Sequence, residues 1–234
     1  MKEHTDKQYE ADLHHLRQEL LLMGGKVEQM ISAALKAFET RDAALAERTI
    51  ISDLEINRTE VEIDELCLKL LALRQPAASD LRFITLALKI DTDLERIADL
   101  AVNIGERARE LCGMPPAPTV IDFRELGRLA QGLLRDSLDS FVDGDAAKAE
   151  AVIEHDEVLD ARYAQAVEML ISSTGNSPNS LPHTTREFAV AKYLERIGDH
   201  AKNIAEMVIF YVKGQDVRHR ASRAAEPSDR PPGS

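Results

Sequence analysis

The sequence predicts an all-α protein built as two tandem three-helix bundles, six long antiparallel helices that arise from an internal duplication. Three observations predict it. Apolar residues recur at steps of three and four over long segments, the narrow stripe that antiparallel bundles bury. Turn-forming residues interrupt those segments at five places. A segment near residue 95 also recurs 100 residues later.

The helices follow from these marks in order. The first, 8–40, carries Leu13, Leu16, Leu20, Met23, Val27, Met30, Ala34 and Phe38 on one stripe and stops at Thr40-Arg41-Asp42. Its internal Gly24-Gly25 pair costs about 1 kcal/mol per glycine relative to alanine, which implies a kink or a close helix approach. The second helix, 42–73, ends at Gln75-Pro76. The third, 79–112, runs from Phe83 through Ile90, Leu94, Ile97 and Ile104 to Leu111, before the Pro-rich stretch 113–118. The fourth, 120–142, ends at Asp143-Gly144-Asp145, and the fifth, 145–173, ends in Ser172 to Pro182. The sixth, 184–213, repeats the spacing through Val190, Leu194, Ile197, Ala201, Ile204 and Val208. The expected domains are therefore 1–112 and 120–213, joined by a linker at 113–119, with a mostly disordered tail at 214–234.

The duplication is specific. Leu94-Glu-Arg-Ile-Ala-Asp-Leu-Ala-Val-Asn-Ile-Gly-Glu106 returns as Leu194-Glu-Arg-Ile-Gly-Asp-His-Ala-Lys-Asn-Ile-Ala-Glu206, with nine of thirteen positions identical. Upstream, Phe38-x3-Asp-Ala-Ala-x-Ala-Glu47 returns as Phe141-x3-Asp-Ala-Ala-x-Ala-Glu150. The halves are two copies of one three-helix unit.

Composition narrows the function. The chain has 234 residues and 41 acidic against 29 basic side chains, for a net charge of −12. An acidic chain without a basic stripe is poorly suited to nucleic acid, whose affinity comes from neutralising phosphates. No apolar run approaches the ~18 residues that cross a bilayer. The opening Met-Lys-Glu-His-Thr-Asp-Lys offers no export signal, so a cytoplasmic location is expected. Cys67 and Cys112 fall on antiparallel helices on the order of 40 Å apart at 1.5 Å per residue, too far for a disulfide.

The repeated motif carries the chemistry. Glu95 and Asp99, like Glu195 and Asp199, stand four residues apart and so share a helical face. That face is expected on the outer surface, away from the Leu94/Ile97/Ile104 stripe. The second helix has a matching ladder of Asp53, Asn57, Glu60 and Asp64, and the fifth has Asp156 and Asp160. Counted from the turns, Asn57 comes level with Glu95, and Asp160 with Glu195. Two carboxylate ladders thus converge in each half, and clustered oxygens suit a hard cation such as iron, manganese, magnesium or calcium. A single acidic pair on an exposed helix is ordinarily solvated surface. Here the outward residues match between copies as well as the core residues do.

Other chemistry is absent from the pattern. His14-His15, following Asp12 on the first helix, reads as a solvated pair and not as a ligand pair, and His200 has no equivalent at Leu100. There is no Glu-x-x-His for a ferritin-like di-iron oxidase, no phosphate-cradling Gly-x-x-x-x-Gly-Lys loop, and no Ser or Cys nucleophile in register with a His.

The two Leu-Glu-Arg-Ile-x-Asp-x-Ala-x-Asn-Ile copies, together with Leu73-Arg-Gln-Pro-x3-Asp-Leu-Arg82 and Tyr211-Val-Lys-Gly-Gln-Asp-Val-Arg-His219, resemble the PhoU family of phosphate-transport accessory regulators over residues 8–219. The resemblance implies paired three-helix bundles whose Glu/Asp-x-x-x-Asp motifs hold multinuclear metal clusters, iron in some members, at Glu95/Asp99, Glu195/Asp199 and Asp156/Asp160. Asp53-x3-Asn57 departs from the carboxylate pattern. It further implies a non-catalytic adaptor, often a homodimer, between the ATPase subunit of a phosphate ABC transporter and a membrane sensor histidine kinase. Such a protein acts in abundant phosphate and meets the membrane only through its partners. The other readings are a metal-free helical scaffold and, last, a metal-dependent enzyme or metal store.

Overall fold

A computed structural model of the chain describes residues 2–73, 76, 78–176 and 181–214. Six helices run in order: α1 (Lys2–Thr40), α2 (Ala43–Leu73), α3 (Ala78–Cys112), α4 (Phe123–Asp143), α5 (Ala146–Asn176) and α6 (Leu181–Lys213). The all-α class and the six-helix order agree with the sequence reading. Arg74, Gln75, part of the 172–182 turn and the tail beyond residue 214 lie outside the described residues.

The boundaries are set by caps. Asp42 Oδ1 accepts from the Leu45 amide at 2.9 Å. Asp122 Oδ1 accepts from the Arg124 and Glu125 amides, and Asp145 Oδ1 from those of Ala147 and Lys148. Each carboxylate satisfies amides that a helix start leaves unpaired. The cap at Asp122 is why α4 begins at Phe123 and not at 120. Conversely, α1 starts at Lys2 and α6 at Leu181, earlier than the apolar spacing indicates; Pro182 fits the first turn of α6, where its missing N–H would have no helical partner anyway.

The α1–α2 and α4–α5 corners solve one problem in two ways. Gly144 ends α4 in the left-handed region at φ 61°. Its counterpart, 103 positions earlier, is Arg41 at φ 55°. A non-glycine residue there is costly, and Arg41 is held by its own side chain. Its Nη2 donates to the Leu111 carbonyl and to that of Met114 at 2.6 Å. The first corner is thereby tied to the end of α3.

Within each half, three helices pack on one another, α1–α3 and α4–α6. The halves are joined by α3 against α6 and α1 against α4. The buried apolar residues form one continuous cluster from Leu16 to Ile209. Gly24 explains part of the glycine pair: a Cβ there would collide with Leu138 Cδ1 of α4. Gly25 has nothing within 4 Å of such a Cβ. The close approach, at Gly24, is the reason for one glycine only.

Candidate metal centre

The acidic ladders sit where α2 lies along α3 and α5 along α6. In the first half, Asn57 Nδ2 donates to Asp53 Oδ2 at 2.8 Å. Burial pushes the Glu95 carboxyl up, and the charges of Asp99, Glu60 and Asp53 add to that, against Arg96. Asp53 is raised by burial as well, eased by the Asn57 bond and reinforced by Asp99. These interactions bring Asp53, Glu60, Glu95 and Asp99 into one electrostatic neighbourhood, as the register across the turn predicts.

The second half repeats the arrangement. Asp160 is raised by burial and then by Asp156 and Glu195, with Lys202 and Lys192 acting the other way. Asp199 is raised by burial and by Glu195, Asp156 and Asp160. Lys202 Nζ donates to Asp156 Oδ2 at 2.7 Å, and Lys192 Nζ to both Glu195 oxygens at 2.6 Å.

The expected outer-surface position is corrected in part. Asp156 is fully buried, at 0% exposure, and the Glu95 and Glu195 side chains are only 18% and 13% exposed. Asp160 and Asp199 keep part of their surface in solvent, with enough of each packed to raise its carboxyl. The reason is that each ladder faces the groove between two long helices, so the neighbour covers its inner rungs. At Gly198, which stands where the first copy has Ala98, a Cβ would meet Leu159 Cδ2 and come within 3.1 Å of Asp156 Oδ1. The missing side chain lets α5 press Asp156 against α6.

One further acid belongs to the first cluster. Asp91, a turn before Glu95, is 1% exposed, and burial with the charges of Asp64, Glu60 and Glu95 pushes its carboxyl up to about 8. The i, i+4 ladder extended back one turn from Glu95 would have found it. Its Oδ1, like Asp53 Oδ1 and Asp156 Oδ1, is buried without a hydrogen-bond partner. Buried acceptors normally have partners, so these three oxygens are the positions at which a cation would be satisfied. The donor set is hard oxygen throughout, which fits iron, manganese, magnesium or calcium. Among the described residues, no three His, Cys, Asp or Glu side chains form a ready-made ion site. A cavity of about 290 Å³ lined by Phe38, Arg41, Phe123, His183 and Glu187, among others, includes none of these acids.

The PhoU domain profile matches this chain twice, over residues 20–108 and 123–208. The chain belongs to the PhoU family. Its PhoU relatives include the phosphate-specific transport system accessory protein PhoU homolog of Pseudomonas putida, 41% identical over 92% of this chain and 85% of that protein. The phosphate-specific transport system accessory protein PhoU of Escherichia coli K12 is 36% identical over 94% of this chain and 91% of its own length. The crystal structure of PhoU from Pseudomonas aeruginosa superimposes with a TM-score of 0.86 at 38% identity, covering 88% of this chain and all of that one. A second PhoU, the phosphate transport system regulatory protein from Streptococcus pneumoniae, gives 0.82 at 29% identity, covering 89% of this chain and 99% of that one. Each PhoU match contains one pair of ladders. Among the described residues no helix is long and apolar enough to cross a membrane.

Proposed function

We propose that this chain is an accessory regulator of phosphate-specific transport that works by docking and not by catalysis. The observation that carries the reading is the doubled PhoU domain in a chain matching, over more than nine-tenths of its length, proteins described as accessory to that transport system. In abundant phosphate it acts in the cytoplasm as an adaptor between the transporter's ATPase subunit and a membrane sensor histidine kinase, restraining uptake and the starvation response. Long helices with acidic flanks suit such a role, because a docked surface shifts a partner's equilibrium only through differential contacts. A homodimer is the expected assembly.

The metal belongs to the same reading. Asp53, Asp99 and Glu95, with Asn57 beside them, would hold a cation or a multinuclear cluster in the first half, and Asp156, Asp160, Glu195 and Asp199 in the second. Iron is the first choice, with manganese, magnesium, calcium or zinc as alternatives. A bound cation supplies crosslinking charge between two helices, while the carboxylates orient it and the packed helices keep the inner oxygens dry. The Lys192 and Lys202 ion pairs favour a second reading, a scaffold that needs no metal. An enzyme or metal store stands last, since the cavity and the ladders share no residue.

The test is phosphate-repressible alkaline phosphatase in a deletion strain grown in abundant phosphate. High activity that a plasmid copy represses again is expected. Repression that persists without the gene would count against the regulator.

A further inference from the structure

The duplicated halves differ in what balances their acids. In the first half, Asp91 stands where the second copy has Ala191. It is 1% exposed and its Oδ1 has no hydrogen-bond partner, and the charges of Asp64, Glu60 and Glu95 act on it. Among the described residues the ion pairs of this cluster are those of Arg96, to Glu95 at 3.4 Å and Asp99 at 3.6 Å. The Arg96 side chain is 57% exposed, and among the described residues its ion pairs reach Glu95 and Asp99 but not Asp91.

In the second half the chain brings its own cations. Lys192 replaces Thr92 and Lys202 replaces Val102. Lys202 Nζ lies 2.7 Å from Asp156 Oδ2, and Lys192 Nζ lies 2.6 Å from Glu195 Oε2. Both ammonium groups are held more strongly protonated by these contacts. An ammonium offers three donors and a point charge. It therefore does at this site what a metal ion does for clustered oxygens, and a cation arriving there must first displace it.

We propose that metal loads preferentially into the first half, with Asp91 as its buried ligand, while Lys192 and Lys202 offset part of the second half's acidic charge and keep it metal-poor. The inference rests on the metal reading given above. It reverses the ranking that Asn57 alone suggests: the first half lacks one motif carboxylate, yet it gains a deeper one and has no competing amine.

The test is a titration of the full-length, chelator-stripped protein with Mn²⁺, read by loss of the aqueous Mn²⁺ resonance signal. The wild type is expected to show a tight class of sites. Asp91→Asn should weaken that class by about ten-fold or more, the scale on which even outer partners of metal ligands act. Glu195→Gln/Asp199→Asn should leave it intact. Lys192→Gln/Lys202→Gln should strengthen the second-half class by a comparable factor, a gain that misfolding cannot produce. Far-UV circular dichroism checks that each variant folds. If the wild type binds no Mn²⁺, the metal reading falls and this inference with it. If it binds and Asp91→Asn changes nothing, or Glu195→Gln/Asp199→Asn removes the tight class, the assignment to the first half alone is overturned.

Discussion

His200 on α6 places its Nδ1 2.7 Å from Asp93 Oδ1 on α3, joining the two halves through one partly buried polar contact. Asn203 reaches the same oxygen at 3.5 Å. The duplicated motif has no counterpart to this pair, since Leu100 and Tyr193 stand at the equivalent positions. A hydrogen bond to a carboxylate in such a place contributes more than an exposed one. His200→Ala should lower stability by about 1–2 kcal/mol, measured by urea unfolding, and Asp93→Ala should cost a similar amount. In the double variant the costs should fall short of additive, because the partners share one interaction; full additivity would show that the two do not cooperate.

Asp91 sets a pH dependence for the metal-free protein. It titrates near 8 when folded and in the ordinary carboxylate range, about 4, when unfolded. The folded chain therefore holds an extra proton between these limits, and its stability declines as pH rises from about 4 toward about 8. In chelator, the melting temperature should be lower at pH 8.5 than at pH 6. Asp91→Asn should flatten that fall and raise the melting temperature at pH 8.5 by a few degrees, as about 1 kcal/mol gives in a chain of this size. An unchanged slope in the variant would show that Asp91 is not the titrating group.

The two glycines of α1 should answer differently to alanine. Gly25→Ala meets open space and should stabilise by about 0.5–1 kcal/mol through lost unfolded-state freedom and better helix propensity. Gly24→Ala carries the same propensity gain but drives a Cβ into Leu138, and overpacking costs about 1–3 kcal/mol. Thermal melts of the two single variants should move in opposite directions.

Cys67 should resist alkylation in the native protein. It is fully buried, and burial together with the charges of Asp91 and Asp64 pushes its thiol up to about 12, so almost no thiolate is present at neutral pH. Cys112 is partly exposed. Intact-mass analysis after iodoacetamide should show one adduct, at Cys112, with the second appearing only in denaturant.

The helices, their turns and the duplication were legible because they are written in local spacing: Leu94, Ile97 and Ile104 announce the same stripe as Leu194, Ile197 and Ile204. The convergence of Asp160 on Glu195 was legible too, since residue counts from a turn fix height in an antiparallel pair. What escaped was depth. Whether Asp156 is solvated or buried depends on how near α5 comes to α6, which Gly198 decides from another helix. Asp91 precedes the duplicated Leu94–Glu106 motif and aligns with Ala191 in the second copy, so the repeat does not mark it. The Lys202–Asp156 pair joins residues 46 apart, and nothing in the spacing of either helix announces it.

The Gly24–Leu138 approach has a mirror image. Gly127 faces Leu35, whose Cδ1 a Cβ at that glycine would strike, and 103 positions separate Gly24 from Gly127 and Leu35 from Leu138 alike. The seam between α1 and α4 is thus self-complementary, the form of contact that a two-fold pair of identical half-chains would make. Such a pair would be bound to a single genetic text, and any change at one acidic cluster would appear at the other. Fusion into one polypeptide removes that constraint: Asp91 is free to arise on one side and Lys192 and Lys202 on the other, so a symmetric frame carries two sites that selection can edit separately.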